Sequence, residues 1–148
     1  MDLVLRGDPV MPGDVRAPLL SSDQPLSFWG GYDFHNGKII DARHPLAGQV
    51  AAGKILALPF TRGSSTTTAI LLESVKAGTA PAAILSSSPD SFFALASIIA
   101  DEMYGSPIPL VTVTSNDFST LLHATSAHIH ADGTIIVFSQ TGDLNTRS

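Results

Sequence analysis

The chain has 148 residues, room for one domain with a real hydrophobic core and no need of covalent staples. Its formal net charge of −5, without a basic cluster, argues against phosphate-driven binding to nucleic acid. With no cysteine it forms no disulfide and offers no thiolate to zinc or to an iron–sulfur cluster.

No apolar run reaches membrane-spanning length, so no membrane partner is expected. The start, Met1-Asp2-Leu3-Val4-Leu5-Arg6, lacks a basic stretch followed by an apolar core, and a cytoplasmic location is the default. Charged residues make up only 14%, against about 25% in typical soluble domains. Two readings stay open: a compact domain with a Ser/Thr surface, or one that hides part of its surface against a partner.

In chain order, Leu3 to Leu5 read as a first strand, ended by Gly7, Pro9 and Pro12. Ala17 to Leu20 and Leu26 to Trp29 are short strand candidates around a Ser-Ser-Asp-Gln-Pro turn. Gly30-Gly31 forces a bend, and residues 32–52 read as irregular, with turn signals at Asn36-Gly37, Pro45 and Gly48. The pattern then becomes regular. Lys54 to Leu58 is an apolar run short enough for a buried strand. A helix over about 65–77 follows, capped by Ser64 or Ser65, with Gly78 past its end. Ala82 to Leu85 is a strand. Asp90 or Ser91 caps a second helix, on which Phe92, Leu95, Ala96, Ile99 and Met103 share one face expected to be core. Gly105 stops it. Pro109 to Val113 is a strand, and Asn116 or Asp117 starts a short helix through His123. Ala127 to His130 and Thr134 to Phe138 flank Asp132-Gly133, a hairpin turn signal. The polar tail 140–148 is expected to fray. The middle is thus strand–helix–strand–helix–strand, a parallel α/β unit, and the ends are strands alone. A single domain over 1–148 of α/β class is expected, its parallel unit combined with a small sheet or barrel.

Residues 61–68, Thr-Arg-Gly-Ser-Ser-Thr-Thr-Thr, carry the chemistry. Gly63 turns the chain between a strand and a helix and delivers Ser64 and Ser65 to the helix start. Free backbone N–H groups and the helix dipole favour negative charge there, and Arg62 sits beside them. The loop can hold a serine oxygen as an anion, or a bound carboxylate or phosphate. Helix caps are the plain alternative for the serines, and a surface ion pair is the plain alternative for Arg62. Gly31 and Asp33, at a bend that lets backbone approach a ligand, and His44, before Pro45, are further site candidates. His35 could sit beside Asp33. His128 and His130 share a strand face and could bind a metal, but a solvated face is the expected reading and no metal ligand is assigned. His123 suits a helix end. Trp29, with Phe28, either packs under the loop or meets a partner.

Gly30-Gly31-Tyr32-Asp33, Gly37-Lys38-Ile39-Ile40-Asp41, His44-Pro45-Leu46-Ala47-Gly48, Gly53-Lys54-Ile55-Leu56, Pro59-Phe60-Thr61-Arg62-Gly63-Ser64-Ser65 and Gly78-Thr79-Ala80-Pro81-Ala82-Ala83-Ile84 occur in this order. Together they resemble the swivel domain, or small subunit, of aconitase X-type dehydratases, over about residues 3–140. The resemblance implies a swivelling β/β/α domain that closes over the active site of a larger, aconitase-like subunit. That partner would supply cysteine ligands for an iron or iron–sulfur centre, and this chain would bind no cofactor itself. Relatives of this kind dehydrate cis-3-hydroxy-L-proline or phosphomevalonate. The family pattern places the catalytic serine base on Ser64; the chemistry of the loop adds Ser65 as its supporting hydrogen-bond partner and Arg62 as an electrostatic aid or carboxylate ligand. Ordinary aconitases carry an arginine where this chain has Thr66, which points away from a tricarboxylate substrate. The family often has proline after Gly-Gly-x-Asp; this chain has Phe34, so the 30–37 loop need not follow the family conformation.

A low content of Lys and Glu favours cis-3-hydroxy-L-proline over phosphomevalonate as the expected small hydroxy acid. Two other functions use the same loop or architecture. A non-catalytic module would hold an anion without any partner. A phospho-carrier domain would need a histidine at the serine loop, and none stands there.

Overall fold

A computed structural model of the chain describes residues 2–62 and 65–139. The elements in order are β1 (Asp2–Arg6), β2 (Asp8–Met11), β3 (Val15–Ser21), β4 (Tyr32–Asp33), β5 (Lys38–Ile39), β6 (Ile55–Ala57), α1 (Ser65–Ala77), β7 (Ala83–Ser86), α2 (Ser91–Tyr104), β8 (Leu110–Thr112), α3 (Ser115–Leu121), β9 (Ser126–Ile129) and β10 (Thr134–Phe138). Eight strands form one sheet in the order β1-β10-β9-β3-β6-β7-β8-β2, and β4-β5 is a separate small hairpin.

The two ends of that order are consecutive in sequence, with only Gly7 between them. The first half of the segment pairs antiparallel with β10 and the second half antiparallel with β8, so the sheet curls back on itself. A side chain at Gly7 would overlap Val111 Cγ1, and the Gly7 N–H donates to Gly133 O at 2.9 Å. Only glycine passes through this seam. A second hand-over occurs in β3. Val15 to Pro18 pair with β9, and Leu19 to Ser21 pair in parallel with β6. Pro18, which has no N–H, stands where the ladder changes neighbours, and that is why proline is tolerated in a central strand. Pro9 is tolerated for a similar reason: β2 is an edge strand with a register irregularity between Pro9 and Met11.

The predicted strand–helix–strand–helix–strand unit is present as β6-α1-β7-α2-β8, with β6, β7 and β8 parallel. These strands are apolar on both faces because both faces are covered. Ile55, Ala57, Ala83, Leu85 and Val111 point into the barrel, against Leu5, Ile129, Ile135 and Val137, and Phe118 and Leu121 of α3 join them. Leu56, Ile84 and Leu110 point outward, against Ile70 and Leu71 of α1 and Phe93 and Ala96 of α2.

Four expectations need correction. Leu26 to Trp29 form no strand; only an isolated parallel bridge joins Leu26 to Thr61. β1 ends before Gly7 as expected, but a second strand, β2, follows it through Pro9 to Met11, where only breakers were read. α3 is capped by Thr114, whose side chain accepts from Asp117 N. The buried face of α2 is Phe93, Ala96, Ser97 and Ala100, one position round from the expected one; Leu95 and Met103 are exposed. Small residues let this helix approach the sheet closely, and Ser97 Oγ donates to Ile108 O beneath it. The start and stop signals performed better: α1 spans 65–77, Asp90 caps α2, and Gly105 ends it.

Candidate active site

α1 and α2 both begin at the ends of parallel strands, the edge where open α/β sheets gather ligands. Three ties bind this edge together. The Asp90 carboxylate caps α2 by accepting from Phe92 N at 3.0 Å and Phe93 N at 3.1 Å with Oδ1. Its Oδ2 accepts from Thr61 N at 2.8 Å and Thr61 Oγ1 at 2.9 Å. Thr68 Oγ1 of α1 donates to Phe92 O at 3.0 Å. Ser87 N, Ser87 Oγ and Ser88 Oγ all donate to Pro59 O, at 3.2, 3.3 and 3.4 Å. The strand that leads into the serine loop is thereby held on one side and the helix that leaves it on the other. Gly63 and Ser64 lie outside the described residues. Their neighbours are placed: Thr61 is buried, Arg62 exposed, and Ser65 exposed as the first residue of α1.

Arg62 N donates to Leu26 O at 3.1 Å, which sets residues 24–26 alongside 61–62. A cleft of about 300 Å3 opens there, lined by Gln24, Pro25, Asp41, Arg43, His44, Pro45 and Arg62. His44, buried, holds its far wall. Its Nδ1 accepts from Leu46 N at 3.1 Å, so its Nε2 carries the proton and donates to Gln24 O at 3.0 Å. Both ring nitrogens are committed to backbone. His44 lines the cleft as a brace between residues 24 and 46. Asp41 Oδ1 accepts from Arg43 N at 3.0 Å and shapes the turn that presents the Arg43 side chain. Two arginines and one aspartate thus line this cleft, in a chain that is negative overall. Among the described residues both ion pairs involve Asp14, and neither arginine belongs to one. A cleft of this charge suits a carboxylate or phosphate, which arginine meets with a planar fork of donors.

The other candidates lie elsewhere. A side chain at Gly31 would overlap Ser27 O, and Gly31 N donates to Phe28 O at 3.2 Å, so this glycine serves a tight turn. Asp33 Oδ1 accepts from His35 N at 2.9 Å. Asp33 borders a different, mostly apolar groove with Trp29, Tyr32, Phe34, Ile40 and Ile70. Phe28 is fully buried and Trp29 is 69% exposed, which separates the two aromatic neighbours that sequence could not. Thr66 is half-buried in the first turn of α1. Thr67, one residue on, is buried with a hydroxyl that has no hydrogen-bond partner among the described residues. Sequence reasoning missed Arg43, Thr67 and the second role of Asp90. Arg43 stood next to His44 in a matched stretch, the one signal available.

A mixed β/β/α barrel with a parallel βαβαβ layer and an anion-suited cleft beside a helix start is a swivelling-domain architecture. The chain belongs to the aconitase X swivel domain family, whose model matches residues 4–138. It is 35% identical over 138 residues to a cis-3-hydroxy-L-proline dehydratase of Hypocrea jecorina, covering 93% of this chain and 23% of that protein. It is 38% identical over 110 residues to a phosphomevalonate dehydratase small subunit of Methanothermobacter thermautotrophicus, covering 74% of this chain and 79% of that one. Among solved structures it resembles Thermococcus kodakaraensis aconitase X in its holo-form, with a TM-score of 0.80 and 31% identity over 93% of this chain and 99% of that one. The chain spans under a quarter of the length of the cis-3-hydroxy-L-proline dehydratases it matches. No helix among the described residues is long and apolar enough to cross a membrane.

Proposed function

We propose that this chain is the swivel subunit of a two-part hydro-lyase, active only with an aconitase X-like large subunit, and that Ser64 is the base that takes a proton from substrate carbon. The supporting observation is the cleft that joins Arg62 and Arg43 at the entrance to α1, in a chain of the swivel family. A serine hydroxyl is a poor base in water. Backbone N–H groups at a helix start, a nearby cation and closure by a partner stabilise its alkoxide. Ser65 and Thr66, in the first turn of α1, supply such N–H groups, and Arg62 supplies the cation. Arg43 and Arg62 orient the anionic group of the substrate. This chain has no cysteine, so an iron or iron–sulfur centre belongs to the partner, where it would act as a Lewis acid on the departing hydroxyl.

Cis-3-hydroxy-L-proline is the proposed substrate, its carboxylate facing the two arginines. Phosphomevalonate is the second reading, favoured by the small-subunit relatives that this chain matches over most of their length. Co-expression with an aconitase X-like large subunit, followed by assay of both compounds and of proton exchange at substrate carbon in deuterated water, tests the proposal. Ser64→Ala is expected to abolish turnover and exchange while co-purification persists. Near-normal activity of that variant refutes the base. Tight binding of phosphate or carboxylate by the isolated chain, with no association, would instead identify a non-catalytic anion-binding module.

A further inference from the structure

Outside the cleft, the structure gathers a group of side chains with no role in the proposed chemistry. His128 on β9 and His130, just past its end, lie side by side, their rings tilted by 32° with centroids 4.1 Å apart. Asp14, in the turn before β3, reaches both: Oδ1 lies 2.8 Å from His128 Nε2, and Oδ2 lies 3.6 Å from His130 Nδ1. One ligand atom from each of the three residues falls within 4.8 Å of the others. Asp14 is exposed and the imidazoles are half-buried, so the group is open to solvent on one side.

We propose that Asp14, His128 and His130 bind a divalent first-row transition cation, with zinc as the representative. The spacing supports this. A tetrahedral zinc site with bonds of about 2.0–2.1 Å has ligand atoms about 3.3 Å apart, and the contacts of the two imidazoles with Asp14, one to each carboxylate oxygen, lie on either side of that value, so small side-chain rotations bring the three ligand atoms to it. The donor set selects the class of ion. Two imidazoles and one carboxylate suit zinc, copper, nickel or iron, whereas magnesium and calcium prefer oxygen alone. The surroundings are compatible with a cation. Asp132, two residues along from His130, is a nearby carboxylate whose Oδ1 accepts from Thr134 N, and Arg6 is placed near it. Arg16 stands opposite His128 across the β3–β9 ladder, but its guanidinium lies over the Phe138 ring, 5.2 Å from the centroid. Three protein ligands leave a position for water or for a donor from another molecule. The ion would join the turn before β3 to β9, two segments more than a hundred residues apart.

The test uses the full, untagged chain, stripped with chelator and titrated with zinc chloride by calorimetry. Cobalt absorption and thermal melting serve as second and third readouts, and far-ultraviolet circular dichroism checks that each variant folds. One zinc ion per chain is expected at micromolar metal, with a raised melting temperature and no heat from magnesium or calcium. His128→Gln, His130→Gln and Asp14→Asn should each weaken zinc at least tenfold and remove the thermal gain; His123→Gln should change neither. Absence of saturable binding overturns the site. So does undiminished binding in the His128→Gln/His130→Gln double variant, equal loss in His123→Gln, or loss confined to one of the three ligand variants.

Discussion

Asp90 ties Thr61, at the entrance to the serine loop, to the start of α2. Its carboxylate accepts four hydrogen bonds, two from the start of α2 and two from Thr61. Removing an N-cap side chain costs about 1 kcal/mol. A buried donor left without its charged acceptor costs about 1–3 kcal/mol more, and Thr61 is buried. Asp90→Ala is therefore expected to destabilise the chain by about 2–4 kcal/mol, or roughly 5–15 °C in Tm for a domain of this size. Asp90→Ser separates the two roles. It keeps a cap but cannot reach Thr61, and should cost about half as much. Urea melts of the isolated chain measure both. A double-mutant cycle with Thr61→Val should return a coupling of about 1–2 kcal/mol for Asp90→Ala. In the reconstituted enzyme, Asp90→Ser should lower kcat at temperatures where the variant is fully folded, because the loop entrance is loosened. If Asp90→Ala lies within 0.5 kcal/mol of wild type, or the cycle shows no coupling, the carboxylate does not hold this loop and the reasoning fails.

Arg43→Ala should raise the KM of the reconstituted enzyme by a factor of about ten to a hundred, the worth of one charge-assisted hydrogen bond, with a smaller effect on kcat; an unchanged KM would separate Arg43 from substrate. Thr67→Val removes a buried hydroxyl that has no partner among the described residues, and a gain of about 1 kcal/mol in chemical denaturation is expected; a loss would mean that the hydroxyl is satisfied. Tyr32 donates to Thr79 O at 2.7 Å, and burial pushes its phenol well above the usual range. The native state therefore holds the neutral phenol more tightly than the unfolded chain does. That contribution is complete below the unfolded value of about 10 and is lost as pH rises above it, so alkaline melts should steepen there and Tyr32→Phe should flatten them. An identical alkaline profile in the variant would show that Tyr32 is not the group responsible.

The parts of this fold legible in the sequence are those fixed by local chemistry. Gly78 and Gly105 mark helix ends, Asp90 a helix start and Asp132-Gly133 a hairpin, and each acts on its immediate neighbours. The face of α2 was not legible, because its most apolar stripe, Leu95 with Met103, is the one left outside. Close approach to the sheet selected Ala96, Ser97 and Ala100 instead, and a hydrophobicity pattern cannot register a preference for small size. Pro9 and Pro18 read as strand breakers, and they become acceptable only once the partner of each half-strand is known. The candidate site divides in the same way. The serine loop announces itself as a strand–turn–helix, but Arg43 meets Arg62 only through the fold, and Asp14 lies 114 residues from His128.

The two hand-over strands have a mechanical consequence. At Gly7 and at Pro18 one continuous backbone belongs to both halves of the sheet, so neither half can hinge against the other without tearing a ladder. The barrel should resist internal deformation and lose amide protection as one cooperative block. A subunit built this way travels as a solid piece. Under the proposed function, a rotation that carried the serine loop towards a partner would be absorbed at the boundary between the two bodies and not inside the barrel.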